Sequence, residues 1–185
     1  MSTIDPHADN LPLHPGSLEG ISRIRLDCSE VDLAIETDPS LVNAVHLVVN
    51  GGNNAPSLIR EGEELILYQR GRYRGGGRPP TLLVPVNDCP PISGTQEKGD
   101  LHVEQVTATL ALKIGMGSIR ISGGDGSLAL DSGKGDLHVS GREGSQALRI
   151  GMGDVHIARC RGSMALSLGK GDISLDTFDG ELDLK

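Results

Sequence analysis

Aromatic side chains are nearly absent: the 185 residues hold no Trp, one Phe (Phe178) and two Tyr (Tyr68 and Tyr73). With 26 glycines in the same chain, burial has to come from small aliphatic side chains packed against tightly turning backbone, which disfavours a helical bundle. The shortage also argues against a polysaccharide-cleaving β-helix, whose groove needs aromatic platforms beside its carboxylates.

Cysteine is scarce. Cys28, Cys89 and Cys160 are odd in number, widely separated and outside any CxxC spacing, so they suggest neither a disulfide framework nor a zinc site and read as buried or idle thiols. No stretch approaches the roughly 20 apolar residues of a membrane span. The opening MSTIDPHADNLPLHPG has no basic segment followed by an apolar run, and a cytoplasmic location is expected. Positive charge is short as well: the net charge is −8, with 7 basic and 12 acidic residues before position 95 and 10 and 13 after it. Neither half has the footprint of a nucleic-acid binder, and no specific nucleic-acid partner is expected; the acidity mainly serves solubility.

What the chain has in abundance is self-similarity. KGDLHV at 98–103 recurs as MGSIRI, KGDLHV, MGDVHI and KGDISL, with Gly99, Gly117, Gly135, Gly153 and Gly171 each 18 residues apart. The intervening half-unit repeats too, as TLALKIG, SLALDSG, SQALRIG and SMALSLG, so each unit holds two short strands. Apolar residues alternate within a unit, as in Leu128, Leu130, a Gly-x-Gly bend, then Leu137 and Val139, the period of strands buried on one face. A second bend falls at Gly126, Gly144, Gly162 and Gly180.

If one unit is one coil, residues 18 apart stack about 4.8 Å from one another and sequence columns become ladders. Leu112, Leu130, Leu148 and Leu166 form one aliphatic column; Ile119, Leu137, Val155 and Ile173 a second; Ile121, Val139, Ile157 and Leu175 a third. The column Lys113, Asp131, Arg149, Ser167, Lys185 mostly alternates in sign, which avoids repulsion between stacked neighbours. The reading is an all-β, single-stranded β-solenoid (β-helix-like) of 18-residue coils over 95–185. Residues 1–18, with Pro6, Pro12 and Pro15, read as an irregular arm that forms neither helix nor ladder. Residues 19–94 carry strands without the period: ISRIRLDC, EVDLAIET, NAVHLVVN, ELILYQR and TLLVPV. They are expected to cap the N-terminal end of the solenoid as irregular β-strands sharing one continuous core.

The order of these segments resembles the bacterial "toastrack" or putative-adhesin β-repeat domains over roughly residues 20–185. The resemblance is carried by ISRIRLDC, EVDLAIET, ELILYQR, the LLVPV strand at 82–86 and the repeated GD-aliphatic units. It implies a β-solenoid-like fold and non-catalytic roles, often in envelope-stress or surface contexts, and it supplies no catalytic residues. Many such relatives are exported or membrane-attached, whereas no such segment is read here.

Several columns carry chemistry. Asp100, Asp136, Asp154 and Asp172, with Ser118 between, form an acidic file that could take divalent cations through oxygen. The calcium-binding nonapeptide GGxGxDxUx also has 18 residues per turn, but in another register and with paired half-sites that are missing here. Asp capping the turn through its own backbone is the preferred reading. His102, Arg120, His138 and His156 form the next outward column, where His138 and His156 are adjacent; stacked imidazoles could ligate a metal, and a solvated polar face is the plainer account. RGRYRGGGRPP at 70–80 sets Arg70, Arg72, Arg74 and Arg78 beside Tyr73, a possible partner contact, or simply a mobile hairpin connection. Met116, Lys134, Met152 and Lys170 alternate with a 36-residue superperiod and, if exposed, form an adaptable contact strip. No phosphate loop and no convergent nucleophile, base and oxyanion donor emerge, so neither an enzyme nor a cofactor is expected.

The functional expectation is therefore a non-enzymatic scaffold that presents a repetitive β face to a protein partner or to its own copies. The alternative is a ligand- or cation-binding stress-sensor module using the Asp and His columns. The last half-unit, DGELDLK, carries Glu181 and Asp183 where other units have Ser and Ala, charges suited to guarding an exposed edge. Replacing both, Glu181→Ser with Asp183→Ala, is expected to increase self-association; unchanged light scattering across a concentration series would count against that role.

Overall fold

The computed structural model describes residues 13–185, and residues 1–12 of the arm expected at 1–18 lie outside them. Among the described residues there is no helix: sixteen strands join one sheet that nearly closes on itself. They are β1 Leu13–Ser17, β2 Arg23–Glu30, β3 Leu33–Asp38, β4 Ala44–Val48, β5 Ser57–Glu61, β6 Glu64–Arg72, β7 Thr81–Pro85 and β8 Ile92–Lys98. There follow β9 Leu101–Glu104, β10 Leu110–Met116, β11 Ile119–Ser122, β12 Leu128–Lys134, β13 Leu137–Ser140, β14 Gln146–Met152, β15 Val155–Lys170 and β16 Ile173–Leu184.

In the repeat region the strands pair in parallel with partners 18 residues away. Leu112 faces Leu130, which faces Leu148, which faces Leu166; the Ile119 and Ile121 columns are joined the same way. Each 18-residue unit, called a rung below, thus contributes to two runs of strands. One run is β3-β9-β11-β13-β15 and the other β2-β8-β10-β12-β14-β15; the long β15 belongs to both, and β16 pairs along it.

Parallel pairing at this spacing works because nothing intrudes between rungs at the bend. Gly135 has φ +139°, and a Cβ there would strike the carbonyl oxygen of Gly117 one rung away. An L-residue fits neither the dihedral nor the space. A further bend, not marked by a common residue type, runs through Gln105, Gly123, Gly141, Arg159 and Thr177, all left-handed with φ between +53° and +65°. The register imposes that conformation even on a β-branched threonine, where it is locally unfavourable.

The first half does not form a separate sheet. β2 and β3 pair in parallel with β8 and β9, Ile24 facing Ile92 and Leu33 facing Leu101, so they extend both runs by one rung. β6 and β7 extend them again, and β4 and β5 then pair antiparallel at the outer ends. Three strands were not anticipated. β5 is one; β8, which straddles the boundary drawn between residues 94 and 95, is another; β1 is the third, pairing antiparallel with β4 from within the segment read as an irregular arm. Pro15 is tolerated there because β1 is an edge strand with one neighbour. β1 comes close to the opposite edge: the space at Gly16 is bounded by side chains of Val45, Leu58 and Leu65, and Arg60 donates to the Glu19 carbonyl at 2.8 Å.

One cluster of buried apolar residues runs from Leu18 to Leu166. Each fully buried aliphatic in it contributes about 1.5–3 kcal/mol. Some inward positions are nonetheless polar. Arg142 is fully buried and donates to the carbonyls of Val106 (3.1 Å) and Ala108 (3.3 Å) two rungs back, and to those of Gly123 (3.4 Å) and Asp125 (3.0 Å) one rung back. It works as a staple across rungs, and burial lowers its pKa. Gln146 has no such compensation: its amide is buried with no hydrogen-bond partner, in a column otherwise filled by Ile92, Leu110, Leu128 and Met164. Gln146→Leu is expected to stabilise the fold by about 1–3 kcal/mol, because an unpaired buried amide is removed. An unchanged or lower urea midpoint would contradict it.

Candidate functional site

Strand alternation in the β10-β12-β14 run turns Ala111, Lys113 and their register partners outward, and breaks where each strand reaches the Gly-x-Gly bend, so that the last residue is exposed too. Lys98, Met116, Lys134, Met152 and Lys170 face one another in register along that bend. The methionines are 47% and 43% exposed, so the column is an outer strip and not core. The pairing extends the strip past the period, because Glu30 sits between Lys98 and Arg72. Beside it runs Lys113, Asp131, Arg149 and Ser167, and beyond that Ala111, Ala129, Ala147 and Ala165. The small alanines border two open troughs, one of about 430 Å³ on the side of the charged column and one of about 590 Å³ on the side of the Ser127, Ser145 and Ser163 column.

The acidic file is explained by backbone geometry. Asp100 Oδ1 accepts the N–H of Ser118 at 2.8 Å, Asp136 that of Asp154 at 3.0 Å, and Asp154 that of Asp172 at 3.0 Å. Each carboxylate therefore caps the next rung, not its own turn. Sequence reading missed the first member, Asp32, which accepts from Asp100 N at 2.9 Å; it lies 68 residues upstream, off the 18-residue period. Among the described residues no group of three or more His, Cys, Asp or Glu side chains converges as a metal shell. His138 and His156 do meet, with ring centroids 5.5 Å apart and tilted by 50°, and His102 Nε2 lies 3.5 Å from Glu104 Oε2.

The arginine segment at 70–80 is tied down. Arg70 grips Asp27 with both terminal nitrogens, at 2.7 and 2.9 Å, and lies 4.8 Å over the Tyr68 ring. The hydrogen bonds to the Asp27 carboxylate, and the negative charge there, raise its pKa. Tyr73 donates to the Gly51 carbonyl at 2.8 Å, Asn54 to the Arg72 carbonyl at 3.1 Å, and Arg74 N to the Asn53 carbonyl at 3.1 Å. The segment is thus a pinned connection, in which Arg72 and Arg74 remain exposed.

Cys28 and Cys160 are buried and all three cysteines are free thiols. Burial pushes Cys28 up to about 12 and Cys89 up to about 11, away from the thiolate range. No helix among the described residues is long and apolar enough to cross a membrane.

The described residues form an all-β protein whose charged and polar side chains stand in regular outer columns. No family model and no curated protein matches the chain. Among solved structures it is similar to a putative cell adhesion protein from Clostridium sporogenes, at 12% identity over 94% of this chain and 98% of that one, with a TM-score of 0.38. It is also similar to a putative adhesin from Parabacteroides merdae, at 12% identity over 96% and 97% of the two chains, with a TM-score of 0.28.

If the aspartates serve as caps between rungs, Asp136→Ala and Asp154→Ala should each lower stability by about 0.5–1.5 kcal/mol. The check is urea denaturation without added metal; no loss in either variant would remove the capping role.

Proposed function

We propose that the chain is a non-enzymatic interaction scaffold, a β-solenoid in which each 18-residue unit makes one coil, whose flat outer face engages a protein partner or further copies of itself. The observation that supports this most directly is the exposed Lys98, Met116, Lys134, Met152, Lys170 strip held in register by the pairing beneath it. A backbone already fixed by pairing on both sides loses little further freedom on binding, and thioethers adapt to varied apolar surfaces. Lysines spaced two rungs apart, about 9.6 Å, set the charge pattern a partner must match. Three free thiols, two of them buried, fit work in a reducing compartment, and the cytoplasm is the proposed location.

A cation-sensing module is the second reading, favoured by the file of Asp136, Asp154 and Asp172 beside the His138 and His156 contact. A thermal melt with light scattering, run over a range of protein concentrations with calcium, zinc or chelator, separates the two. The scaffold reading expects a melting temperature indifferent to metal, and association that weakens in Met116→Glu with Met152→Glu if the partner is a second copy. A rise of several degrees with metal that chelator reverses would replace it with the sensor reading.

A further inference from the structure

Among the described residues the outer edges of the two runs differ. On one side antiparallel strands finish both runs, β4 with β1 outside it in one and β5 in the other. On the other side β16 pairs with β15, and no further described strand pairs with its free edge. Ile173, Leu175, Leu182 and Leu184 are 37–46% exposed, whereas Val155, Ile157, Met164 and Leu166, their partners one rung below, are at most 3% exposed. Phe178 is half-buried beside them. The same rung carries Asp172, Asp176, Asp179, Glu181 and Asp183 against a single cation, Lys185. Arg161 and Lys185 are engaged with Asp179 and Asp183, each at 3.1 Å.

We propose that β16 is a strand-addition site for a partner protein, which supplies a parallel β-strand alternating apolar and basic residues. This goes beyond the lateral strip, does not depend on it, and rests on three features. The apolar side chains of β16 continue the buried columns and ask for one more aliphatic layer. The outward carboxylates select lysine or arginine at the alternate positions of that strand, as cross-strand neighbours of opposite charge do elsewhere in sheets. Finally, Asp172 occupies the position from which Asp100, Asp136 and Asp154 each accept the N–H of the following rung. The same bond from Asp172 fixes the incoming strand as parallel and sets its register. A second copy suits the site poorly. Its β16 would set the same acidic residues against these, and its β5 offers one arginine, Arg60, already donating to the Glu19 carbonyl, next to Glu61.

The test uses the 185-residue protein and two fluorescent peptides. One copies residues 173–184 with Asp176, Asp179, Glu181 and Asp183 replaced by lysine; the other keeps the acidic sequence. The lysine peptide is expected to bind saturably and at least ten-fold tighter than the acidic one, read by anisotropy. Glu181→Lys with Asp183→Lys in the protein should weaken the lysine peptide at least ten-fold and improve the acidic one, while Asp131→Lys on the lateral face leaves both unchanged. Leu182→Asp, at an already exposed position, should abolish binding while the melt stays cooperative. Equal binding of the two peptides, or equal loss in the Asp131 and Glu181/Asp183 variants, would reduce the effect to general charge attraction and overturn the proposal. Sedimentation showing a dimer that Leu182→Asp dissolves and that excludes the lysine peptide would overturn it in favour of a second copy. Since Met116 and Met152 take no part, the lateral reading can fail while this one stands, and the reverse.

Discussion

Rung-to-rung hydrogen bonds between residues 18 apart in sequence hold this molecule together, and they impose a strict steric condition. Each carbonyl at the Gly-x-Gly bend points at the backbone one rung away, so no Cβ fits between Gly117 and Gly135 or between Gly135 and Gly153. Once that register is set, every column is defined: what faces inward on one rung faces inward on all. The glycines are then the condition for stacking, and not sites of looseness. The same register forces Arg159 and Thr177 into left-handed backbone that neither residue favours alone.

The core shows how far regular stacking tolerates imperfect side chains. Arg142 satisfies much of its guanidinium with carbonyls from two earlier rungs, turning a buried charge into a clamp. Gln146 and Ser132 instead leave polar atoms unpaired among aliphatics. Such groups cost stability, but each is flanked by apolar layers above and below, and the nearest-neighbour character of a stacked architecture keeps the cost local. The aspartate caps work between adjacent rungs as well, so register is checked by side chains at the surface and by glycine at the bend.

The outermost described strands differ in chemistry from the strands between them. Antiparallel β4 and β5 turn one end away from further parallel growth. The other end keeps an apolar layer rimmed by carboxylates, which discourages like copies while leaving the geometry of pairing intact. The lateral strip and the β16 edge are thus two chemically different surfaces built by one repeat.

The repeat half was readable from residue order because a fixed 18-residue period maps directly onto spatial neighbours. The columns of Leu112, Ile119 and Ile121, the Met and Lys strip and the exposed acidic file all follow from it. What the order could not show lies where the period breaks. β2 and β3 join the same runs at an offset of 68 residues, so Asp32 and Glu30 enter their columns unannounced. Leu13–Ser17 pairs despite its proline because an edge strand needs one set of partners. Arg142 has no period partner of its own kind to mark it, and it is buried because carbonyls of the bends converge where its guanidinium can reach them. Local order and period determined the strands, their inward faces and the bends rich in glycine. Tertiary structure alone decided which nonrepeating strands continue the runs and which polar groups find partners, because these depend on contacts between segments with no common spacing.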